Sequence, residues 1–227
     1  VVDWPVGRAM AEAGFVDSYR AAHPDPVASP GITWSPEFPE SHQDRIDYVY
    51  SRGDNWRVLD ARVLSEHPRG WPSDHAATFA SMDLVSEAER QCKTIRVMSY
   101  NIHYGVGMDG TFDLARIARV IREHAPDLVG LQEISHEAMA TELGRRTGMA
   151  VVFGPSKGSN KAYGDAVLSK HPFEWVANHP IPSASSSRYQ AMAVDVDLSD
   201  VLGEGQKARL INTHFDWLDT IGSRAAR

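Results

Sequence analysis

Six side chains of the kinds that hold metal ions, move protons or grip phosphate stand at or inside apolar segments of this 227-residue chain. Asn101 closes the run VMSYN, where its amide oxygen suits a hard cation or a carboxylate that binds one; a strand-end Asn also simply forms turns. Glu133 ends PDLVGLQE, and an ionised carboxylate next to so apolar a strand needs water, a partner or a metal. Asp74 and His75 are adjacent in WPSDHAAT, so that one can bind or activate water while the other contacts a phosphate oxygen. Asp47 in RIDYVY lies between Ile46 and Tyr48; on a strand it faces away from both and calls for a dedicated partner such as a His. His214 follows the apolar run LINT. Each residue alone has a plain structural explanation, as turn former, solvated strand end or edge residue. Together they share one placement, and strand ends on one edge of a sandwich can converge. Amide and carboxylate oxygens in such a cluster suit Mg²⁺ or Mn²⁺ with a phosphorylated substrate.

The elements that must position these groups are legible from periodicity. Residues 1 to 42 are rich in Pro around one short helical pattern, Val6 to Ala13, which Gly14 stops. Three strands are predicted next, at Ile46 to Tyr50, Arg57 to Leu64 and Ala76 to Leu84, as an antiparallel ladder. The polar stretch 85–94 reads as a connector. A strand at Ile95 to Tyr100 follows, then a helix capped by Asp113 with Leu114, Ile117, Val120 and Ile121 at helical spacing, then a strand at Leu128 to Leu131. A second long helix is predicted from His136 to Arg146, and further strands at Ala150 to Phe153, Ala166 to Ser169, Phe173 to Ala177, Ala191 to Leu198 and Ala208 to Thr213. The pattern predicts an α/β fold, a two-layer β-sandwich of mostly antiparallel sheets flanked by helices. Of the six Trp, those at 34, 71 and 217 adjoin loops expected to border the site; Trp4, Trp56 and Trp175 read as core.

Composition narrows the classes. At 42% hydrophobic residues the chain is not globally disordered, and with Cys92 as its one thiol it has neither an internal disulfide framework nor a multi-Cys zinc site. No run of about 18 apolar residues is present to span a bilayer as a helix, and no signal-peptide pattern follows Val1, so the expected setting is soluble, cytoplasmic or secreted after processing. A net charge of −7 argues against unspecific grip on a polyanion, which Lys and Arg supply.

These segments resemble the endonuclease/exonuclease/phosphatase superfamily of metal-dependent phosphoesterases. The family's opening Asn strand resembles VMSYN, its PDxxxLQE strand resembles PDLVGLQE, its YGNxxLS stretch resembles YGDAVLS at 163–169, and its NTH strand resembles INTHFD. Its RxDYV strand and closing SDH resemble RIDYVY and PSDHAA. The resemblance implies Glu133 as principal metal ligand with Asn101, and Asp74 close to the metal. It implies His75 on the scissile phosphate, Asp47 orienting a catalytic His, His214 on phosphate or leaving group, and Arg188 holding the edge of the site. The implied reaction is in-line attack of water on phosphorus, assisted by Mg²⁺ or Mn²⁺.

Two departures accompany the match. The motif order is rotated: 1–84 resembles the C-terminal part of the family fold and 95–227 its N-terminal part, with 85–94 joining them into one composite domain, as in a circular permutant or a junction of tandem copies. The family's GDxN segment is not found in the sequence. The leading expectation is a divalent-metal phosphodiesterase or phosphomonoesterase. The alternative is a catalytically incomplete domain that binds a phospho-ligand or a partner, including a partner chain that supplies the absent segment. Expected substrates are a phosphorylated small molecule, a phospholipid head group or a short nucleic acid.

Overall fold

The computed structural model describes residues 5–36, 40, 43–84, 93–156, 163–181 and 189–215. Two compact units divide the chain, Val1–Val129 and Gly130–Arg227. Both mix helices with antiparallel strand pairs, the mixed α/β class predicted from the sequence.

In the first unit, α1 (Pro5–Glu12) opens on a Pro, whose missing N–H is no loss in a first turn. β1 (Val16–Asp17) leads into α2 (Ser18–Ala22), and β1 pairs antiparallel with β2 (Tyr50–Ser51). Asp17 caps α2 by accepting the N–H groups of Tyr19 and Arg20, and its carboxylate also receives the Arg45 guanidinium. β3 (Trp56–Leu64), β4 (Ala77–Leu84) and β5 (Lys93–Asn101) form a consecutive antiparallel ladder. β4 lies in its middle and is buried on both faces, which is why its sequence ATFASMDL does not alternate. β5 starts two residues earlier than the sequence suggests, at Lys93; residues 85–92 of the expected connector lie outside the described residues.

The predicted strand at 46–50 is not one, apart from Tyr50. The backbone there is held by side chains in place of a ladder: the Thr33 hydroxyl accepts the N–H groups of Ile46 and Asp47, and the Thr78 hydroxyl donates to the Asp47 carbonyl. Side-chain hydrogen bonds of this kind compete with sheet pairing.

α3 (Leu114–His124) takes Asp113 as its N-cap, with the Arg116 N–H donated to the carboxylate at 2.9 Å. It buries Leu114, Ile117, Ala118, Val120 and Ile121 along one stripe. Ala125 at φ 47° and Pro126 end it. β6 (Leu128–Ile134) follows and contains the division between the units. Asp127 anchors its start: its N–H donates to the Arg96 carbonyl while its carboxylate accepts the Arg96 N–H, both at 2.8 Å.

The second unit continues with α4 (Glu137–Thr147), capped by the His136 ring at one end and by Gly148 at φ 73° at the other. β7 (Ala150–Pro155) and β8 (Gly164–Ser169) pair antiparallel. β9 (Phe173–Pro180), β10 (Gln190–Asp197) and, after α5 (Ser199–Leu202), β11 (Lys207–Thr213) form a second antiparallel sheet with β10 in the middle. Trp175 corrects the expectation of core packing: it is 42% exposed, in the same cross-strand row as Asp195 and Arg209, with the Arg209 guanidinium 4.8 Å from its ring centre. Trp56 is half-buried, and Trp4 and Trp217 lie outside the described residues. Among the described residues no helix is long and apolar enough to cross a membrane.

Candidate active site

In the first unit the end of β5 and the loop before β4 meet. Ser73 donates its hydroxyl to the Asn101 carbonyl at 2.6 Å and accepts the His75 N–H, so one serine fixes the PSDH turn against the strand end. The His75 ring lies with Nδ1 2.8 Å from Asp47 Oδ2, both side chains nearly buried. Since a carboxylate only accepts, that bond places the proton on Nδ1. Trp71 donates its indole N–H to the His75 carbonyl at 2.7 Å, and the Trp34 ring packs 4.9 Å from the imidazole, so two of the three Trp residues expected beside the site touch His75. Asn101 is buried, its Oδ1 accepting the His103 N–H at 3.0 Å. Asp74 Oδ2 is 3.9 Å from His103 Nε2, and its Oδ1 is buried without a hydrogen-bond partner among the described residues. An orphaned carboxylate oxygen costs desolvation free energy that a cation or an ordered water recovers.

In the second unit Glu133 has φ 62°, the left-handed region that a non-glycine residue adopts at a cost of about 1–2 kcal/mol. Asp165 in β8 accepts the Glu133 N–H. It is 3% exposed, and burial, then the nearby Glu133 charge, pushes its carboxyl well above the ordinary range despite that N–H. Glu133 Oε1 is 3.9 Å from His214 Nε2. The other face of His214 is fixed by the Tyr163 hydroxyl, 3.1 Å from Nδ1, and by the edge-on ring of Tyr189 at 5.5 Å. Tyr163, Asp165, Tyr189, Gln190 and His214 line a small cleft.

Beneath it, Asn212 donates to the Leu131 and Ala166 carbonyls and accepts from the Gln132 amide at 2.6 Å, tying β6, β8 and β11 together. Gly130 leaves the room this needs, since a Cβ there would come 2.8 Å from Asn212 Oδ1.

Of the predicted site residues, Asp47, Asp74, His75 and Asn101 come together in the first unit, and Glu133 with His214 in the second. Arg188 lies outside the described residues. The sequence reading gave no part to Ser73, His103, Tyr163, Asp165 or Tyr189. The signal available for His103 and Asp165 was position alone, two residues after Asn101 and inside YGDAVLS. Among the described residues no group of three or more His, Cys, Asp or Glu side chains forms a metal cluster. A hard cation needs less, since Mg²⁺ keeps several waters and takes one or two carboxylates.

Residues 98–207 match the model of the endonuclease/exonuclease/phosphatase family. That segment belongs to this family. The matched family segment starts at Met98, includes Asn101, Glu133 and Asp165, and ends before His214. A stretch of 104 residues is 33% identical to an uncharacterized protein of Caenorhabditis elegans, covering 37% of this chain and 33% of that one, so the chain spans about a third of this curated relative. Among solved structures, an endonuclease/exonuclease/phosphatase from Beutenbergia cavernae is 27% identical with a TM-score of 0.46, over 54% of this chain and 38% of that one. TDP2 from Caenorhabditis elegans is 21% identical with a TM-score of 0.42, over 54% and 35%.

Proposed function

We propose that this chain is a divalent-metal-dependent phosphoesterase that hydrolyses a phosphodiester or phosphomonoester by in-line attack of water. The observation that carries the reading is the first-unit cluster: a partly buried Asp47–His75 pair, the buried Asn101, and an Asp74 oxygen without a hydrogen-bond partner among the described residues. Asp47 accepts the Nδ1–H of His75, so Nε2 is the atom left to the substrate, where it takes a proton from the attacking water or, once protonated, donates to a phosphate oxygen. Trp34 packs against the imidazole, and Trp71 fixes the His75 backbone through its carbonyl. Asp74, with an oxygen that no group among the described residues satisfies, holds the attacking water or the cation. In the second unit Glu133 is the carboxylate ligand, and His214, steadied by Tyr163, meets the phosphate or leaving group. Asn101 and Asp74 in the first unit, and Glu133 in the second, each offer the kind of oxygen donor that suits Mg²⁺ or Mn²⁺, an ion that when bound would neutralise charge developing on phosphoryl oxygens.

The substrate class is a phosphorylated small molecule, a phospholipid head group or a short nucleic acid, in keeping with the net charge of −7. The motif order is read as a circular permutation of the family order, with 1–84 and 95–227 as the exchanged parts.

The test is release of p-nitrophenolate from bis-p-nitrophenyl phosphate with Mg²⁺ or Mn²⁺. Glu133→Ala and His75→Ala are each expected to abolish it, and unchanged turnover in both would overturn the proposal. Binding of a phosphate ester by the wild-type chain without any release would favour the second reading, a phospho-ligand or partner-binding domain.

A further inference from the structure

His103 lies outside the roles assigned above, yet the fold holds it under unusual constraint. Its φ is 44° and that of Tyr104 is 54°, two successive left-handed residues with side chains. Such backbone persists only where its surroundings over-determine it. Here they do: the His103 N–H donates to Asn101 Oδ1 at 3.0 Å, the Gly105 N–H donates to the Ile102 carbonyl at 2.8 Å, and the Val106 N–H donates to the His103 carbonyl at 2.9 Å.

The ring is fixed as well. Nδ1 is 3.0 Å from the Val106 carbonyl, which can only accept, so Nδ1 carries a proton and Nε2 is the ring atom left for a ligand. Nε2 lies 3.9 Å from Asp74 Oδ2, too far for a hydrogen bond. The other carboxylate oxygen, Asp74 Oδ1, is buried without a hydrogen-bond partner among the described residues. A divalent cation held by the neutral ring and the carboxylate satisfies both groups. Two donors on one ion at about 2.0–2.2 Å each are separated by at most about 4 Å, so the observed spacing admits a shared ion after a small closure.

We infer that His103 Nε2 and Asp74 are ligands of one divalent-cation site, and that the nitrogen donor turns its preference from Mg²⁺ toward Mn²⁺ and Zn²⁺. The chemistry is direct. Imidazole binds transition ions well and Mg²⁺ poorly, whereas an all-oxygen set discriminates little in favour of the transition ion. The inference rests on the reading of this region as a cation centre, and adds a ligand and a metal preference to it. The Asn101 amide links the two, since its oxygen positions the His103 backbone.

The experiment measures cation binding by the full chain without substrate, Mn²⁺ by loss of the free-ion EPR signal and Mg²⁺ by competition. His103→Asn is the informative variant, because Asn tolerates left-handed backbone while its short side chain cannot reach the ion. It is expected to weaken Mn²⁺ at least tenfold and Mg²⁺ less than threefold, and Asp74→Ala to weaken both. Unchanged Mn²⁺ binding in the Asn variant, or equal weakening of both ions, overturns the inference.

A second reading needs no variant. In wild-type protein with ¹⁵N-labelled histidine, one equivalent of Zn²⁺ is expected to move the Nε2 resonance of a ring whose Nδ1 stays protonated, and absence of that shift also overturns it. Because neither measurement involves turnover, an inactive chain that still prefers Mn²⁺ through His103 counts against the phosphoesterase proposal and not against this one.

Discussion

Asn212 offers the sharpest test of how the second unit is held. Its side chain is 4% exposed and makes three hydrogen bonds, donating to Leu131 O at 2.9 Å and Ala166 O at 3.0 Å and accepting from Gln132 at 2.6 Å. Asn212→Ala removes all three. At about 1 kcal/mol net per bond, with a small cavity added, the expected loss is about 3–4 kcal/mol. For a chain of this size that lowers the unfolding midpoint by about 6–16 °C. Asn212→Asp separates bonding from volume: it keeps the acceptor for Gln132 but points a carboxylate at two carbonyl oxygens, and is expected to destabilise at least as much as Ala. Differential scanning calorimetry and urea titration read both variants. A shift below about 2 °C for Ala, or wild-type stability for Asp, would refute the claim that this amide joins three strands.

Asp109 gives a pH signature. The Arg116 guanidinium bonded to it holds its carboxyl down at about 2, against an ordinary value of 3.8. A depressed carboxyl stabilises the fold above its unfolded value and loses that contribution as pH falls through its folded one. Asp109→Asn is therefore expected to be less stable than wild type at neutral pH, with the gap in urea midpoint closing between about pH 4 and pH 2; a gap independent of pH would contradict this. For the dyad, Asp47→Asn is expected to reduce kcat for bis-p-nitrophenyl phosphate at least about tenfold with KM within twofold, because it unsettles the His75 tautomer rather than ground-state binding. An unchanged kcat would remove Asp47 from the mechanism.

The sequence disclosed elements wherever one face decides burial. α3 and its Asp113 cap are read correctly because Leu114, Ile117, Val120 and Ile121 follow a single period. It failed at 46–49, where alternation suggests a strand but two threonine hydroxyls hold the chain instead, a long-range arrangement that no local pattern carries. Asp47 shows both sides: its need for a partner followed from a charge among apolar neighbours, while His75 as that partner required the fold. Asp165 and His103 were illegible for a related reason. Asp165 acts on the backbone of Glu133, and His103 depends on a positive φ, and neither is written in residue type.

The left-handed backbone at Glu133 bears on how this protein can change. A chain selected only for stability would place glycine there, since every side chain at φ 62° meets the same clash at Cβ. On the proposed role of Glu133 as a metal ligand, the carboxylate stands against the preference of its own backbone, and stability and chemistry pull this position in opposite directions. Were the demand for a carboxylate lifted, position 133 is where drift toward glycine would be rewarded at once, making it a marker of whether a copy of this chain still works.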